Sequence, residues 1–133
     1  MKKLILLILA VSMVAFMPIV ASAADTIEGS VQGFTCVTQG KVCPVGQEDP
    51  MAAAERVFVV LTKDNQYYFV PNVDRAVLAR HLNERVKVIG KLNSKYNAID
   101  ATQIDAYENG AWKTAWTMKS QQQIMQDLAV PGT

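Results

Sequence analysis

The chain has 133 residues, and its 13 Lys and Arg nearly balance its 12 Asp and Glu, giving a formal net charge of +1. This balance argues against a nucleic-acid partner, because such proteins draw most of their affinity from a basic patch. After residue 23 no stretch is long and apolar enough to span a bilayer, and the length suits one domain with a modest core.

The first 23 residues have the three parts of a cleavable signal peptide. A Met-Lys-Lys start precedes an almost wholly apolar run over 4–20, and Ala-Ser-Ala at 21–23 has the small residues that signal peptidase accepts. The alternative is an uncleaved anchor, but the run is at the lower limit of bilayer length and no basic stop-transfer cluster follows. We predict residues 1–23 as the signal peptide, cleavage near Ala23-Ala24, and a periplasmic or secreted protein. Losing two lysines leaves 11 basic against 12 acidic residues, a net charge of −1.

Alternating and β-branched runs predict strands along the mature chain. The turn at Asp64-Asn65 predicts a hairpin, and Asn109-Gly110 predicts a second one, because these residues tolerate positive φ. Gly90 predicts a β-bulge inside its strand. The predicted strands cover 26–34, 57–62, 67–70, 85–92, 98–107 and 111–116.

Three helices are predicted. The first is a short one within the long segment 33–55, with Asp49 as its N-cap and Pro50 at its first position. The second covers 73–82, with Asn72 as N-cap. The third covers 120–128, where apolar residues recur at helical spacing before Pro131.

The element order is strand, long loop, hairpin, helix, strand, turn, strand. The stretch Arg-Val-Lys-Val-Ile-Gly-Lys-Leu at 85–92, followed by Ala-Ile-Asp-Ala-Thr-Gln-Ile at 98–104, resembles the last two strands of bacterial secreted OB-fold domains. The resemblance is architectural and covers about 26–107.

This resemblance implies a mainly β fold with one or two helices. It would be a small OB-fold-like five-stranded β-barrel with a helix between strands three and four, followed by a C-terminal hairpin extension and a short helix. The barrel domain would cover 24–118 and a C-terminal helical tail 119–133. The alternative is an unrelated small α+β domain with the same element order.

Cys36 and Cys43 are the two cysteines of the chain. In an oxidising compartment an even pair at hairpin spacing predicts a disulfide, and Gln39-Gly40 can turn the chain between them. The alternative is a redox-active or metal-binding thiol pair, although metal sites usually need two further ligands and a C-x-x-C spacing. We expect no metal site and no cofactor.

The OB-fold resemblance also implies where a ligand lies. In that fold the loop between the first two strands and the loop after the fourth strand frame the ligand face. Trp112 and Trp116 are four residues apart on a predicted strand and are expected to face the same way, either toward a ligand or into a small core against the helix. The long loop either contributes to this face or plugs the end of the barrel. The candidate ligand-face residues are Tyr96, Trp112, Trp116, Asn93 and Lys95.

No catalytic motif is present in the sequence, and His81 shares a predicted helix face with apolar residues, which favours a structural role. We expect an exported, non-catalytic binding module for a protein, peptide or glycan of the cell envelope, using the disulfide-clamped loop. One alternative is an envelope redox or metal-handling accessory protein using Cys36 and Cys43. A second is a structural subunit of an envelope assembly that docks through 120–128.

Overall fold

A computed structural model describes residues 23–129, so the predicted signal peptide lies almost wholly outside the described residues, as does Pro131. Within this part the chain is mainly β. Its elements in order are β1 (Asp25–Gly33), α1 (Phe34–Thr38), α2 (Glu48–Ala54), β2 (Phe58–Leu61), β3 (Tyr67–Phe69), α3 (Arg75–Ala79), β4 (Arg85–Asn93), β5 (Ala98–Glu108), β6 (Ala111–Thr117) and α4 (Met118–Leu128).

The six strands form one sheet in the order β3-β2-β1-β4-β5-β6, and all neighbours in this order pair antiparallel. A parallel bridge between Phe69 of β3 and Ala98 of β5 closes the first five strands into a ring. β6 pairs with the other half of β5 and extends the sheet beyond the ring. The predicted mainly β fold, with its helix between the third and fourth strands, is confirmed.

The predicted bulge and both predicted hairpin turns are confirmed. The pairing of β4 with β5 shifts register between Ile89 and Gly90. A Cβ atom at Gly90 would overlap the backbone of Asp100, so the close strand crossing requires glycine. Asn65, Asn109 and Gly110 all have positive φ, as the tight turns demand.

The core lies inside the ring. Side chains from β1, β2, β4 and β5 meet there, and Leu78 and Leu82 from the α3 region pack onto them. No helix among residues 23–129 is long and apolar enough to cross a membrane. The larger fully buried aliphatic side chains of this core are Val31, Val60, Val86, Val88, Ile99 and Ile104.

Two predicted helix starts were wrong. The cap of α3 is Asp74, whose carboxylate accepts a 2.7 Å hydrogen bond from the Ala76 amide, because Asn72 is engaged elsewhere. The helix α2 begins at Glu48, so Asp49 and Pro50 lie inside its first turn. Pro50 is tolerated there because first-turn amides have no intrahelical partner. Helix α1 was not predicted.

Candidate functional site

The segment between β1 and β2, residues 34–57, is called the Cys loop below. Cys43 anchors its middle to the ring. The Cys43 amide donates a 2.7 Å hydrogen bond to Oε1 of the buried Gln32, and the Gly33 amide donates to Cys43 Sγ at 3.1 Å. Cys43 belongs to the core cluster, and Met51 and Ala52 pack against it. One side of the Cys loop therefore covers the core while the other side faces outward.

The two cysteines are brought together as predicted. Their Sγ atoms lie 3.2 Å apart, a hydrogen-bond separation between thiols rather than a covalent bond. Burial and the hydrogen bond with Cys43 raise the pKa of the Cys36 thiol to about 11. A thiol with so high a pKa is a weak nucleophile at neutral pH. The disulfide itself stays a prediction.

Glu55 fixes the far end of the Cys loop, a role that no local sequence pattern predicts. It is buried, and its carboxylate accepts hydrogen bonds from the amide and hydroxyl of Thr35 and from the amides of Arg56 and Val57. Burial raises the pKa of this carboxyl, but the hydrogen bonds outweigh burial and hold the pKa below its ordinary value. The ionised carboxylate thus ties α1 to the start of β2.

Three aromatic side chains, called the aromatic triad below, lie where the Cys loop meets β3. The ring centroids of Phe34 and Phe69 are 5.3 Å apart, and Tyr67 lies 5.7 Å from each of them. All three rings are half-buried. Val59, the cross-strand partner of Phe69, is fully buried although it lies outside the main core cluster. The triad therefore covers the outer face of the β2–β3 hairpin and presents its own outer side to solvent.

A groove of about 790 Å³ separates the Cys loop from the tip of the β2–β3 hairpin. Half of the residues that line it are aliphatic, and one of these, Val42, is 61% exposed. Val57, at the end of the Cys loop, is 41% exposed. The triad and the groove thus give the same hairpin an apolar outer surface. The groove is lined by Val37, Gly40, Lys41, Val42, Leu61 and Asn65.

Three of the predicted ligand-face residues lie close together, because Asn93 ends β4 and Lys95 and Tyr96 lie in the β4–β5 turn that follows. Tyr96 is 62% exposed, and Lys95 Nζ lies 5.2 Å from its ring centroid. The amide of Phe69 donates a 2.8 Å hydrogen bond to the carbonyl of Asn97, which holds this turn against the end of β3. The turn and the aromatic triad are therefore neighbours.

The other two predicted ligand-face residues do not join them, and the expectation that they share a face is wrong. Ile104 pairs with Trp116 and Asp105 with Thr114, so Ala115 is an unpaired extra residue that reverses the alternation of β6. Trp116 is buried in the core, whereas the Trp112 ring is 5.1 Å from Tyr107 on the outer face. Tyr107 lies near the end of β5 that is farthest from the β4–β5 turn. At the usual rise per residue of a strand, the two places are as much as about 30 Å apart.

The sequence signal for the triad was present but faint. Tyr67 and Phe69 are two residues apart on a predicted strand, so they share a face, whereas nothing local indicates that Phe34 joins them. Rings and aliphatic side chains at this place offer apolar contacts and carry no acid–base or nucleophilic group. No family model, curated protein or solved structure matches this chain.

Proposed function

We propose that the mature chain is an exported, non-catalytic binding module that holds an extended peptide segment of a cell-envelope protein against the outer face of the β2–β3 hairpin. The single observation that carries this proposal is the half-exposed aromatic triad beside an anchored loop. Export follows from the predicted signal peptide, and cleavage near Ala23-Ala24 would leave β1 at the start of the mature protein.

We further propose that the ring is an OB-fold barrel. The antiparallel order of β1 to β5, the parallel bridge from β3 to β5 and the position of α3 support this assignment. OB-folds bind ligands on the face of strands two and three, between the loops that follow strands one and four. In this chain that region holds the aromatic triad, the Cys loop and the β4–β5 turn.

The geometry of the triad favours a peptide over a glycan. Tyr67 meets Phe34 and Phe69 edge-on, at interplanar angles of 69° and 90°. We expect such rings to contact apolar side chains of a peptide with both their edges and their faces, whereas a sugar stacks on one open ring face. Anchoring at Cys43 and Glu55 keeps the Cys loop ordered before binding, which reduces the entropy lost on association.

A redox or metal-handling role for the cysteines is supported less well. Their Sγ atoms are close enough to form a disulfide after a small movement. However, the raised pKa of Cys36 leaves little thiolate at neutral pH, and the thiolate is the form that attacks disulfides and binds metals. We therefore propose a structural role for this pair.

A role as subunit of an envelope assembly is the second candidate, and one observation favours it. The apolar side chains of Ile124, Met125 and Leu128 on α4 are exposed. If α4 docks onto a partner, deleting residues 119–133 should remove the protein from the assembly, as size-exclusion chromatography of envelope extracts would detect. An unchanged elution profile would exclude this role for α4.

Selection from a random peptide library against the mature protein tests the binding proposal. Selected peptides should carry an aromatic or large aliphatic residue. In ¹H–¹⁵N NMR titrations they should shift the amide signals of Phe34, Val42, Tyr67 and Phe69. Substitution Tyr67→Ser should weaken binding at least tenfold, because it removes one of the three rings that would contact the peptide.

The matched control is Tyr107→Ser, which removes an exposed tyrosine from an aromatic pair on another part of the sheet. It should leave peptide affinity within twofold of the original value, and circular dichroism should show that both variants fold. Peptides that map to another face, or that bind both variants equally poorly, would overturn the proposal. Binding of a glycan array but of no peptide would overturn the assigned ligand class.

A further inference from the structure

A second cluster of polar side chains lies away from the aromatic triad, where α3, β4 and β5 come together. His81 follows α3, Glu84 directly precedes β4, and Glu108 ends β5. One ring nitrogen of His81 and one carboxylate oxygen from each glutamate lie within 4.8 Å of one another. The proposed peptide site uses none of these residues.

The backbone under this cluster is firmly held. Asn83 has a φ of 68°, which turns the chain between His81 and Glu84, and its amide donates a 2.9 Å hydrogen bond to the Val31 carbonyl. The Val31 amide in turn donates to the Glu84 carbonyl at 3.0 Å. Glu108 pairs with Ala111 beside the tight turn at Asn109-Gly110. His81 and Glu84 therefore lie at one well-held turn and Glu108 lies beside another, so the three side chains do not depend on a single loop.

The imidazole of His81 is held in one orientation, whereas the side chains of Glu84 and Glu108 are free to rotate. His81 is 14% exposed and its Nδ1 lies 2.7 Å from Glu84 Oε2, so the ring is already oriented. Glu84 and Glu108 are 43% and 41% exposed, which leaves them room to rotate and leaves space for water. Lys113 Nζ, at 3.3 Å from Glu108, is the cation that now partly balances this carboxylate.

We propose that His81, Glu84 and Glu108 form a binding site for one divalent transition-metal ion of the Zn²⁺ class. An imidazole with two carboxylates is a donor set that Zn²⁺ accepts, with metal–ligand distances of about 2.0–2.2 Å. Ligand atoms around a tetrahedral ion are then about 3.4 Å apart, so the cluster needs movements of about 1 Å, within reach of the two glutamate side chains. One or more waters would complete the coordination, and the ion would replace Lys113 beside Glu108.

The nitrogen donor sets the metal class. Mg²⁺ and Ca²⁺ prefer oxygen ligands throughout, whereas imidazole suits Zn²⁺ and its neighbours in the first transition row. Two carboxylates also neutralise the ion, so its binding leaves no large uncompensated charge on this surface.

The probe is Zn²⁺ itself, added to the folded mature protein that carries Cys36→Ser and Cys43→Ser, so that thiolates cannot bind the metal. Isothermal titration and equilibrium dialysis with metal analysis should show one equivalent bound, in the presence of excess Mg²⁺. In a ¹⁵N-labelled sample, Zn²⁺ should shift an imidazole nitrogen signal of His81. Glu84→Gln and Glu108→Gln should each weaken binding at least tenfold, and His81→Ala should abolish it.

Glu28→Gln is the matched control, because Glu28 is a surface carboxylate that pairs with Arg85 at 2.6 Å and lies outside the cluster. It should leave Zn²⁺ affinity within twofold. His81 is largely buried, so Glu108→Gln decides the matter if His81→Ala does not fold. Uptake below one equivalent, uptake unchanged in Glu108→Gln, or an equal loss in Glu28→Gln would overturn the proposal.

Discussion

The side chain of Asn72 pairs with the backbone of Ala101 in both directions. Its Nδ2 donates to the Ala101 carbonyl at 2.7 Å, and its Oδ1 accepts from the Ala101 amide at 2.9 Å. The side-chain amide of Asn72 thus replaces the hydrogen bonds of a neighbouring strand. It does so on the edge of β5 between Ala98, which pairs with β3, and Gln103, where the pairing with β6 begins. Together with the Phe69–Ala98 bridge it closes the ring between β3 and β5.

Replacing Asn72 by alanine should therefore be costly. Ala101 is fully buried, and its amide and carbonyl would lose their partners, at about 1–3 kcal/mol for each unpaired group. Asp74→Ala, which removes the actual cap of α3, should lower the free energy of unfolding by only about 1 kcal/mol. Urea unfolding of the two variants checks this. A larger loss for Asp74→Ala than for Asn72→Ala would contradict the assigned role of Asn72.

Local patterns predicted the elements well because the forces that form them act over a few residues. The turns at Asn65 and Asn109, the alternation of β4 and the bulge at Gly90 all follow from residue types within short windows. The order of these elements then pointed to five strands with a helix between the third and fourth. Near neighbours in sequence were enough for that step.

The errors occurred where a distant partner decides the role of a residue. Asn72 has the ordinary properties of a helix cap, and only its contact with Ala101, on another strand, shows its function. Glu55 has no local sequence signal for its role, which depends on Thr35, 20 residues away along the chain. The single extra residue Ala115 in β6 leaves no signal in composition, yet it moves Trp116 to the core. Contacts across the sheet cannot be deduced from spacing along the chain.

The two tryptophans should respond differently to substitution. Trp116 is buried and its Nε1 donates a 2.8 Å hydrogen bond to Gln121, so Trp116→Ala should cost about 3–5 kcal/mol. The Trp112 ring meets Tyr107 edge-on, and its centroid lies 4.3 Å from Lys87 Nζ on the outer face, so Trp112→Ala should cost about 1 kcal/mol. Acrylamide should quench the fluorescence of Trp116→Phe strongly and that of Trp112→Phe weakly. Equal quenching would contradict the opposite placement of the two rings.

Glu55 should make the stability of the protein depend on acid pH. Its ordinary pKa is 4.5, and the folded state holds it lower, so the unfolded chain binds more protons below neutrality. The resulting stabilisation is complete above the unfolded pKa and is lost as pH falls from about 4.5 through the folded pKa. Glu55→Gln places an amide against amide and hydroxyl donors and should cost about 1–3 kcal/mol at pH 7.

Denaturant unfolding of the original protein and of Glu55→Gln at a series of pH values provides the measurement. The difference in unfolding free energy should shrink between pH 5 and pH 3. Asp49→Asn, which changes an exposed carboxylate on α2, is the control and should shift stability by less than about 0.5 kcal/mol. A constant difference between the original protein and Glu55→Gln across this range would show that Glu55 is not ionised in the fold.

The cysteine pair should form a disulfide when the protein is made in an oxidising compartment. The Sγ atoms at 3.2 Å must approach by about 1.2 Å to reach bonding distance, and the closed loop is short. In the chain-entropy model the bond adds about 2.5 kcal/mol to the free energy of unfolding.

The oxidised protein should be lighter than the reduced one by two hydrogen atoms, and reductant should lower its stability to that of Cys36→Ser. Because a thiol with a raised pKa is a poor leaving group, the bond should also resist the glutathione pool, with a reduction potential below about −300 mV. Two titratable thiols in protein purified without reductant, or a potential in the range of catalytic dithiols, would contradict a structural bond.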